Sequence, residues 1–314
     1  MKIAILDKAT LGEDIDLSPI RALGETYEYP STKADEMTEN VKDADVIIVN
    51  KIKCNASTLD NSKNLKLICV AATGYDNVDL DYCKSRGIGL CNVPGYSTDS
   101  VAQVSVALAM SLATHIPEYR DFVTSGRYTK DGLANRLVPI FHEMSAMKWG
   151  VVGGGGIGTK VAEIAKAIGC DVCVCRRKQE GDFPLADIDS ICRECDIISL
   201  HVPLTDETRG MISRERIGMM KQGAIVVNTA RGAVCDEAAL ADAVKEKKIL
   251  LGCDVYSVEP FGESHPFWEI KGLDNVCLTP HMAWGAHESR MRCVRIIAEN
   301  IRCYFDDKAQ NRIV

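Results

Sequence analysis

An α/β fold of two doubly wound domains is what this sequence predicts, and three observations carry the prediction. Short, β-branched apolar runs recur along the chain with polar, helix-prone stretches between them, the punctuation of βαβ units around parallel strands. The series breaks once, near residue 92, and restarts at Trp149. The length of 314 residues suits about two domains, each able to bury its own core.

In the first series, strands are expected at 3–6, 46–49, 67–72 and 88–91, with a helix among them at 33–41. At residue 92 the texture changes. Asn92-Val-Pro-Gly-Tyr-Ser-Thr is turn chemistry, and Ser100 with Gln103 has the spacing of a capping box. The helix that follows, VAQVSVALAMSLA, is apolar on nearly every side, which predicts burial at the junction of the two domains. Residues 123–147 are mixed and predict a loop with short helical turns. The second series predicts strands at 149–152, 172–175, 197–201, 224–229, 250–255 and 276–278. Helices are expected at 159–168 and 236–245, the latter capped by Asp236, and again after His287. The expected partition is discontinuous: 1–98 with 287–314 as one domain, and 99–286 inserted as the other.

Composition narrows the partners. Lys and Arg number 37 against 44 Asp and Glu, for a formal net charge of −7, and no basic patch interrupts it. Such a field repels phosphate backbones, so no nucleic-acid partner is expected. No stretch approaches about 18 consecutive apolar residues, and the opening MKIAILDKATLGEDID has acids where a secretion signal needs an apolar run. The expectation is a cytoplasmic protein without a membrane partner. The 14 cysteines are spread over the whole chain, as reduced thiols filling small buried sites are. Cys170-x2-Cys173 and Cys192-x2-Cys195 do match the spacing of a zinc ribbon. Cys173 falls inside an expected strand, however, where residues three apart face opposite ways, so the sequence reading sets zinc aside and expects no metal.

The run Val151-Val-Gly-Gly-Gly-Gly-Ile-Gly158 contains Gly153-x-Gly155-x-x-Gly158 between an expected strand and an expected helix. In that context the pattern binds a dinucleotide. The first glycine allows the tight turn, the second admits a pyrophosphate to the backbone, and the third lets helix and strand pack closely. The next strand of such a unit normally ends in an acid for the ribose 2′-hydroxyl. Here Arg176 and Arg177 stand 18 and 19 residues after Gly158. Guanidinium groups suit a 2′-phosphate, so the expected cofactor is NAD(P)H with NADPH preferred. The plainer alternative is a pair of solvated arginines at a strand end.

Three polar residues follow expected strands in the second half: Arg231 after AIVVNTA, Glu259 after the strand ending near 255, and His281 after VCLTP. Ligands of open α/β sheets gather beyond the carboxyl ends of the strands, so the three should face one crevice. Their types suit reduction of a 2-oxo acid. A histidine can give a proton to the carbonyl oxygen, a carboxylate can orient it, and an arginine can hold the substrate carboxylate. Singly each also suits an ordinary loop; the common placement is what points to catalysis.

Along essentially all of its length the chain resembles the D-isomer-specific 2-hydroxyacid dehydrogenases. The resemblance rests on TGYDNVD (73–79), GYSTDSVAQ (95–103), VVGGGGIG (151–158), HVPLTDETRGMI (201–212), NTARGAVCDEAAL (228–240), DVYSVEP (254–260) and TPHMAW (279–284). Within that family it is similar to the glycerate dehydrogenase/hydroxypyruvate reductase branch. The resemblance implies two Rossmann-like domains, a flavodoxin-like substrate domain and a dinucleotide-binding domain, with a cleft between them. It implies Arg231 as substrate-binding arginine, Glu259 as the acid paired with the histidine, and His281 as general acid/base. It places Gly156 and Ile157 at the pyrophosphate, Val202, Pro203, Thr208, Thr229, Ala230 and Ala283 along the cofactor, and Asp254 at the nicotinamide carboxamide. Thr73 and Gly74 match a turn whose amides hold the substrate carboxylate, and Trp284 stands near the pocket or a partner subunit. The expected assembly is a homodimer, and the substrate a small 2-oxo acid or its D-2-hydroxy acid. Two departures stand out: Arg176 replaces the family's ribose-binding Asp, and Gln103 a common Glu. His201 is expected to act through its backbone only, while His115, His142, His265 and His287 are expected at the surface or in loops. Reduction of bulkier aryl or branched 2-oxo acids, with 50–57 and 123–147 shaping the pocket, is one alternative. A non-catalytic, corepressor-like dinucleotide sensor is the other.

Overall fold

The computed structural model describes residues 1–177 and 181–314. The chain divides into two units, Met1–Ser97 with Gly285–Val314, and Thr98–Trp284.

The first unit holds strands β1 (Lys2–Ile5), β2 (Glu25–Glu28), β3 (Val46–Val49), β4 (Leu67–Val70) and β5 (Gly89–Cys91), all parallel, in the order β2-β1-β3-β4-β5. That is the flavodoxin-like order. Every residue of β3 and β4 is buried, as their continuous apolar runs require of strands covered on both faces. The edge strand β2 escaped the sequence reading because ETYE has no apolar run and alternates between exposed and half-buried positions. The helix expected at 33–41 is shorter, Met37–Val41, with only Met37 and Val41 buried. The final helix, His287–Phe305, lays Cys293, Val294, Ile297, Ala298 and Ile301 against the core, a stripe at helical spacing.

The second unit holds β6 (Lys148–Val152), β7 (Asp171–Cys175), β8 (Ile197–Leu200), β9 (Ala224–Asn228), β10 (Ile249–Cys253) and β11 (Val276–Leu278). These are parallel too, in the order β11-β10-β9-β8-β6-β7. The order reverses between β6 and β8, so the crevice for a ligand opens beyond the carboxyl ends of those two strands.

The helix Thr98–Ala113 packs on β9, β10 and the helix Gly156–Ala167. Two expectations need correction here. The helix begins at Thr98, so Ser100 does not cap it; the Ser100 hydroxyl lies inside the first turn and donates to the Ala283 carbonyl at 2.5 Å. Nor is the helix buried all round in its unit, since Gln103, Ala107 and Met110 form one exposed stripe. The segment before β6 folds as the helices Ile116–Thr124 and Arg127–Asp131 and a loop exposing Leu133, Leu137, Val138, Ile140 and Phe141. Among the described residues no single helix is long and apolar enough to cross a membrane.

Candidate active site

β6 runs directly into the glycine loop. Gly153 has φ +108°, a left-handed conformation, and a Cβ there would lie 2.5 Å from the His201 carbonyl oxygen at the end of β8. A Cβ on Gly158 would come within 1.8 Å of the Gly153 carbonyl, so loop and helix touch backbone to backbone. Gly155 precedes the helix Gly156–Ala167 without a side-chain cap, and a Cβ on it would meet nothing within 4 Å. The first amides of that helix, at Gly156, Ile157 and Gly158, therefore form an uncapped, positively polarised end beside open space, which fits a pyrophosphate.

Arg176 follows β7, and its stem lies across Gly154. Its Nη2 donates to the Gly181 carbonyl at 3.4 Å, and its Nε is buried with no partner among the described residues. Arg177 is 80% exposed and paired with Glu207, so its charge is already answered there. At the end of β8 both ring nitrogens of His201 are buried without partners among the described residues, and burial pushes the imidazole down to about 3. Orphaned polar atoms beside a glycine cradle fit a nicotinamide dinucleotide. Val202 lies against the loop at Gly153, and Thr208 closes the following turn by donating to the Pro203 carbonyl at 2.6 Å.

The chemical end is built from turns after β9, β10 and β11. Asn228, at the end of β9, accepts from the Ala230 amide at 3.0 Å and donates to the Arg231 carbonyl at 2.9 Å. It closes the turn that carries Arg231, whose Nη1 donates to the Ala230 carbonyl at 2.8 Å. Thr229, one residue after the strand, meets Ser105 hydroxyl to hydroxyl at 2.8 Å. Asp254, just past β10, is 1% exposed. Its carboxylate accepts from the Thr279 hydroxyl at 2.6 Å and from the amides of Met282 and Ala283, both at 2.9 Å. This clasp spans His281, which has φ +52°. His281 Nδ1 lies 2.6 Å from Glu259 Oε2, and Glu259 Oε1 accepts from the Tyr256 amide at 3.0 Å. Both side chains are less than one third exposed.

The sequence reading missed what holds the Glu259 loop, and with it the buried partners of His265, which lies in a loop as expected. That histidine is buried, not at the surface. Its Nδ1 accepts from the Phe267 amide at 3.1 Å and its Nε2 lies 3.1 Å from Glu237, itself buried. Glu237 also accepts from the Ser257 amide at 2.9 Å and from its hydroxyl. Tyr256, Phe261 and Phe267 enclose the imidazole. A Cβ on Gly232 would fall 2.2 Å from the Ser257 nitrogen, so the Arg231 and Glu259 loops are packed backbone on backbone. The overlooked signal is a second acid, Glu237, directly after the capping Asp236. His115 sits half-buried in a loop, and His142 and His287 are exposed.

Arg231, Glu259, His281, Asp254 and the glycine loop all belong to the second unit, which ends at the half-buried Trp284. Thr73 and Gly74 belong to the first, in the loop after β4, where the Thr73 hydroxyl donates to the Val93 carbonyl at 3.0 Å. Among the described residues no three His, Cys, Asp or Glu side chains converge to hold a metal ion.

Comparison with known proteins agrees with this geometry. Residues 106–283 match the family model described as D-isomer specific 2-hydroxyacid dehydrogenase, NAD binding domain. A hydroxypyruvate reductase of Blautia hydrogenotrophica is 32% identical over 96% of both chains. A glycerate dehydrogenase of Methylorubrum extorquens is 33% identical over 99% of this chain and 98% of its own. The crystal structure of a D-lactate dehydrogenase from Aquifex aeolicus, complexed with NAD and lactic acid, superposes with a TM-score of 0.86 at 29% identity, covering 98% of this chain and 96% of that one. With its two parallel sheets, its glycine loop and relatives matched almost end to end, the chain belongs to the D-isomer-specific 2-hydroxyacid dehydrogenase family, in the branch of the glycerate dehydrogenases and hydroxypyruvate reductases.

Proposed function

We propose that the chain is an NAD(P)-dependent reductase of small 2-oxo acids, of the hydroxypyruvate or glyoxylate kind, that yields the D-2-hydroxy acid with NADPH preferred. The observation that carries the reading is the 2.6 Å contact between His281 and Glu259, on a turn clasped by a buried aspartate. The substrate class follows the names of the two relatives in this branch. When bound, the dinucleotide supplies two electrons and a hydrogen to the carbonyl carbon. Gly153, Gly155, Gly156, Ile157 and Gly158 would hold its phosphates, Arg176 the ribose 2′-phosphate, and Val202, Pro203, Thr208, Thr229, Ala230, Asp254 and Ala283 its length.

His281 presents Nδ1 to Glu259, so the proton passed to the carbonyl oxygen is the one on Nε2. Glu259 keeps the ring oriented and compensates its charge while it carries two protons. The planar guanidinium of Arg231 binds the substrate carboxylate and draws electron density toward the carbonyl oxygen. The exposed apolar side chains from Leu133 to Phe141 support a homodimer, because a contiguous patch of that kind is covered in most soluble proteins.

The test is oxidation of NADPH and of NADH, followed at the dihydronicotinamide absorbance, with hydroxypyruvate, glyoxylate, pyruvate and phenylpyruvate. Turnover of the first two with NADPH ahead of NADH is expected. Faster turnover of phenylpyruvate would move the substrate to the bulkier class. Tight cofactor binding without turnover of any of the four would favour a dinucleotide sensor.

A further inference from the structure

Each of the two Cys-x2-Cys motifs with zinc-ribbon spacing gives one sulfur to a pair. Cys173, in the middle of β7, and Cys195, which follows the helix Ile188–Glu194, bring their Sγ atoms to 3.6 Å. The neighbouring strand makes the approach possible. Gly150 of β6 pairs with Cys173 across the sheet, and a Cβ on Gly150 would lie 2.8 Å from the Cys195 sulfur. A missing side chain in β6 thus opens the space in which Cys195 leans over the sheet toward Cys173.

Two further features set this pair apart from cysteines that merely fill the core. Cys173, 5% exposed, is among the residues that line a surface hollow of about 460 Å³, together with Lys148, Asp171, Asp187, Ser190 and Glu194. Lys148 stands two residues before Gly150 on the same face of β6, and its ammonium is held by Glu194 at 2.6 Å beside the hollow. All 14 cysteines are free thiols. Cys173 is the only one whose thiol is drawn below its ordinary range, by the hydrogen bond from Cys195 and then by Lys148, whereas Cys195 is pushed up. Burial pushes its motif neighbours up as well, Cys170 and Cys192 to about 11.

We propose that Cys173 and Cys195 are a dithiol modification site, at which a hydroperoxide converts the pair into a disulfide with Cys173 as the attacking and Cys195 as the resolving thiol. In the first step the Cys173 thiolate attacks one peroxide oxygen. The S–O bond forms, the O–O bond breaks, and the departing oxygen takes a proton and leaves as water or an alcohol, so that sulfur is oxidised to the sulfenic acid and peroxide reduced. In the second, Cys195 loses its proton and attacks the Cys173 sulfur; the S–S bond forms, the S–O bond breaks, and hydroxide leaves as water. Two thiols and one hydroperoxide become one disulfide, one water and one water or alcohol. The sulfurs close from 3.6 Å to about 2.0 Å.

The experiment uses the full, reduced chain treated with stoichiometric hydrogen peroxide, then alkylated with N-ethylmaleimide under denaturing conditions and mapped by mass spectrometry. The expected result is 12 alkylated cysteines in place of 14, one cross-linked peptide joining Cys173 to Cys195, and full recovery on reduction. In Cys195→Ser the sulfenic acid accumulates on Cys173 and is captured by dimedone. In Cys173→Ser, Cys195 reacts at least about tenfold more slowly. Alkylation of all 14 cysteines after peroxide, or a cross-link mapped to another pair, overturns the proposal; both are read on the wild-type chain, whether or not the variants fold.

Discussion

Asp254→Asn is the substitution that most directly tests how the site is held together. The wild-type carboxylate is fully buried and takes three donors: the Thr279 hydroxyl and the Met282 amide on one oxygen, the Ala283 amide on the other. Asparagine keeps the volume but offers one oxygen, so its NH2 must oppose at least one donor. With the oxygen turned to Thr279 and Met282, the Ala283 amide is left buried and unpaired, at about 1–3 kcal/mol. The remaining two bonds lose their charge assistance, at about 0.5–1 kcal/mol each, for a total of roughly 2–5 kcal/mol. For a unit of this size that lowers Tm by roughly 4–20 °C. The larger consequence is catalytic, because the freed turn carries His281, and a misplacement of about 1 Å costs on the order of 100-fold in rate. The assays are kcat and KM with hydroxypyruvate and NADPH, NADPH affinity by fluorescence quenching, and urea unfolding. The expected outcome is a kcat lower by about 100-fold, a larger effect than any rise in NADPH Kd. A variant with wild-type kcat and a raised Kd would refute the reasoning and leave Asp254 acting on the cofactor alone.

Other substitutions probe the neighbouring roles. His281→Ala removes on the order of 100- to 10,000-fold of kcat while NADPH still binds, and a nearly fully active variant would sink the acid/base assignment. Arg176→Asp raises the Kd for NADPH about 10- to 150-fold, the equivalent of losing one charge-assisted contact of about 1.5–3 kcal/mol, and turns preference to NADH; an unchanged ratio of kcat/KM for the two cofactors counts against a 2′-phosphate site. His201 takes up its proton near 6.5 when unfolded but only near about 3 when folded, so stability is lost as pH falls from 6.5 toward 3, by about 2 kcal/mol at about pH 5. His201→Leu removes that dependence, and urea titrations at about pH 7.5 and about pH 5 that run parallel for the two proteins would contradict it.

What was legible in the sequence is what periodicity and spacing encode. Strands covered on both faces announce themselves as apolar runs, which is why β3 matches the expected bounds residue for residue. β2 was silent because an edge strand with alternating exposure needs no such run. The positions of Arg231, Glu259 and His281 were readable from the rule that function gathers after strands, but their supports were not. Whether Ser100 caps a helix or reaches the Ala283 carbonyl depends on a residue 183 positions away. His265 looked like a loop histidine because nothing local shows that Glu237, on a helix 28 residues earlier, receives it.

Three carboxylates in one small region raise an electrostatic question, since burying each costs several kcal/mol unless donors surround it. The structure divides the labour by donor type. Asp254 takes two backbone amides and a hydroxyl, and Glu237 takes an amide, a hydroxyl and an imidazole nitrogen. Both are committed to holding a turn. Glu259 is the carboxylate within hydrogen-bond distance of His281 Nδ1, and it is the most exposed of the three. That ordering has a mechanical logic. A carboxylate already saturated with neutral donors fixes geometry whatever the charge of the reacting groups. Under the proposed acid/base role of His281, the carboxylate that answers its changing charge must remain partly solvated, so that the ring can gain and lose a proton without stranding an ion in the interior. Exchanging Glu259 for a shorter, better buried acid should therefore impair turnover even with the hydrogen bond retained. Glu259→Asp with stability unchanged and kcat lower by about tenfold or more is the expected outcome, and equal kcat would show that charge, not placement, is all the histidine needs.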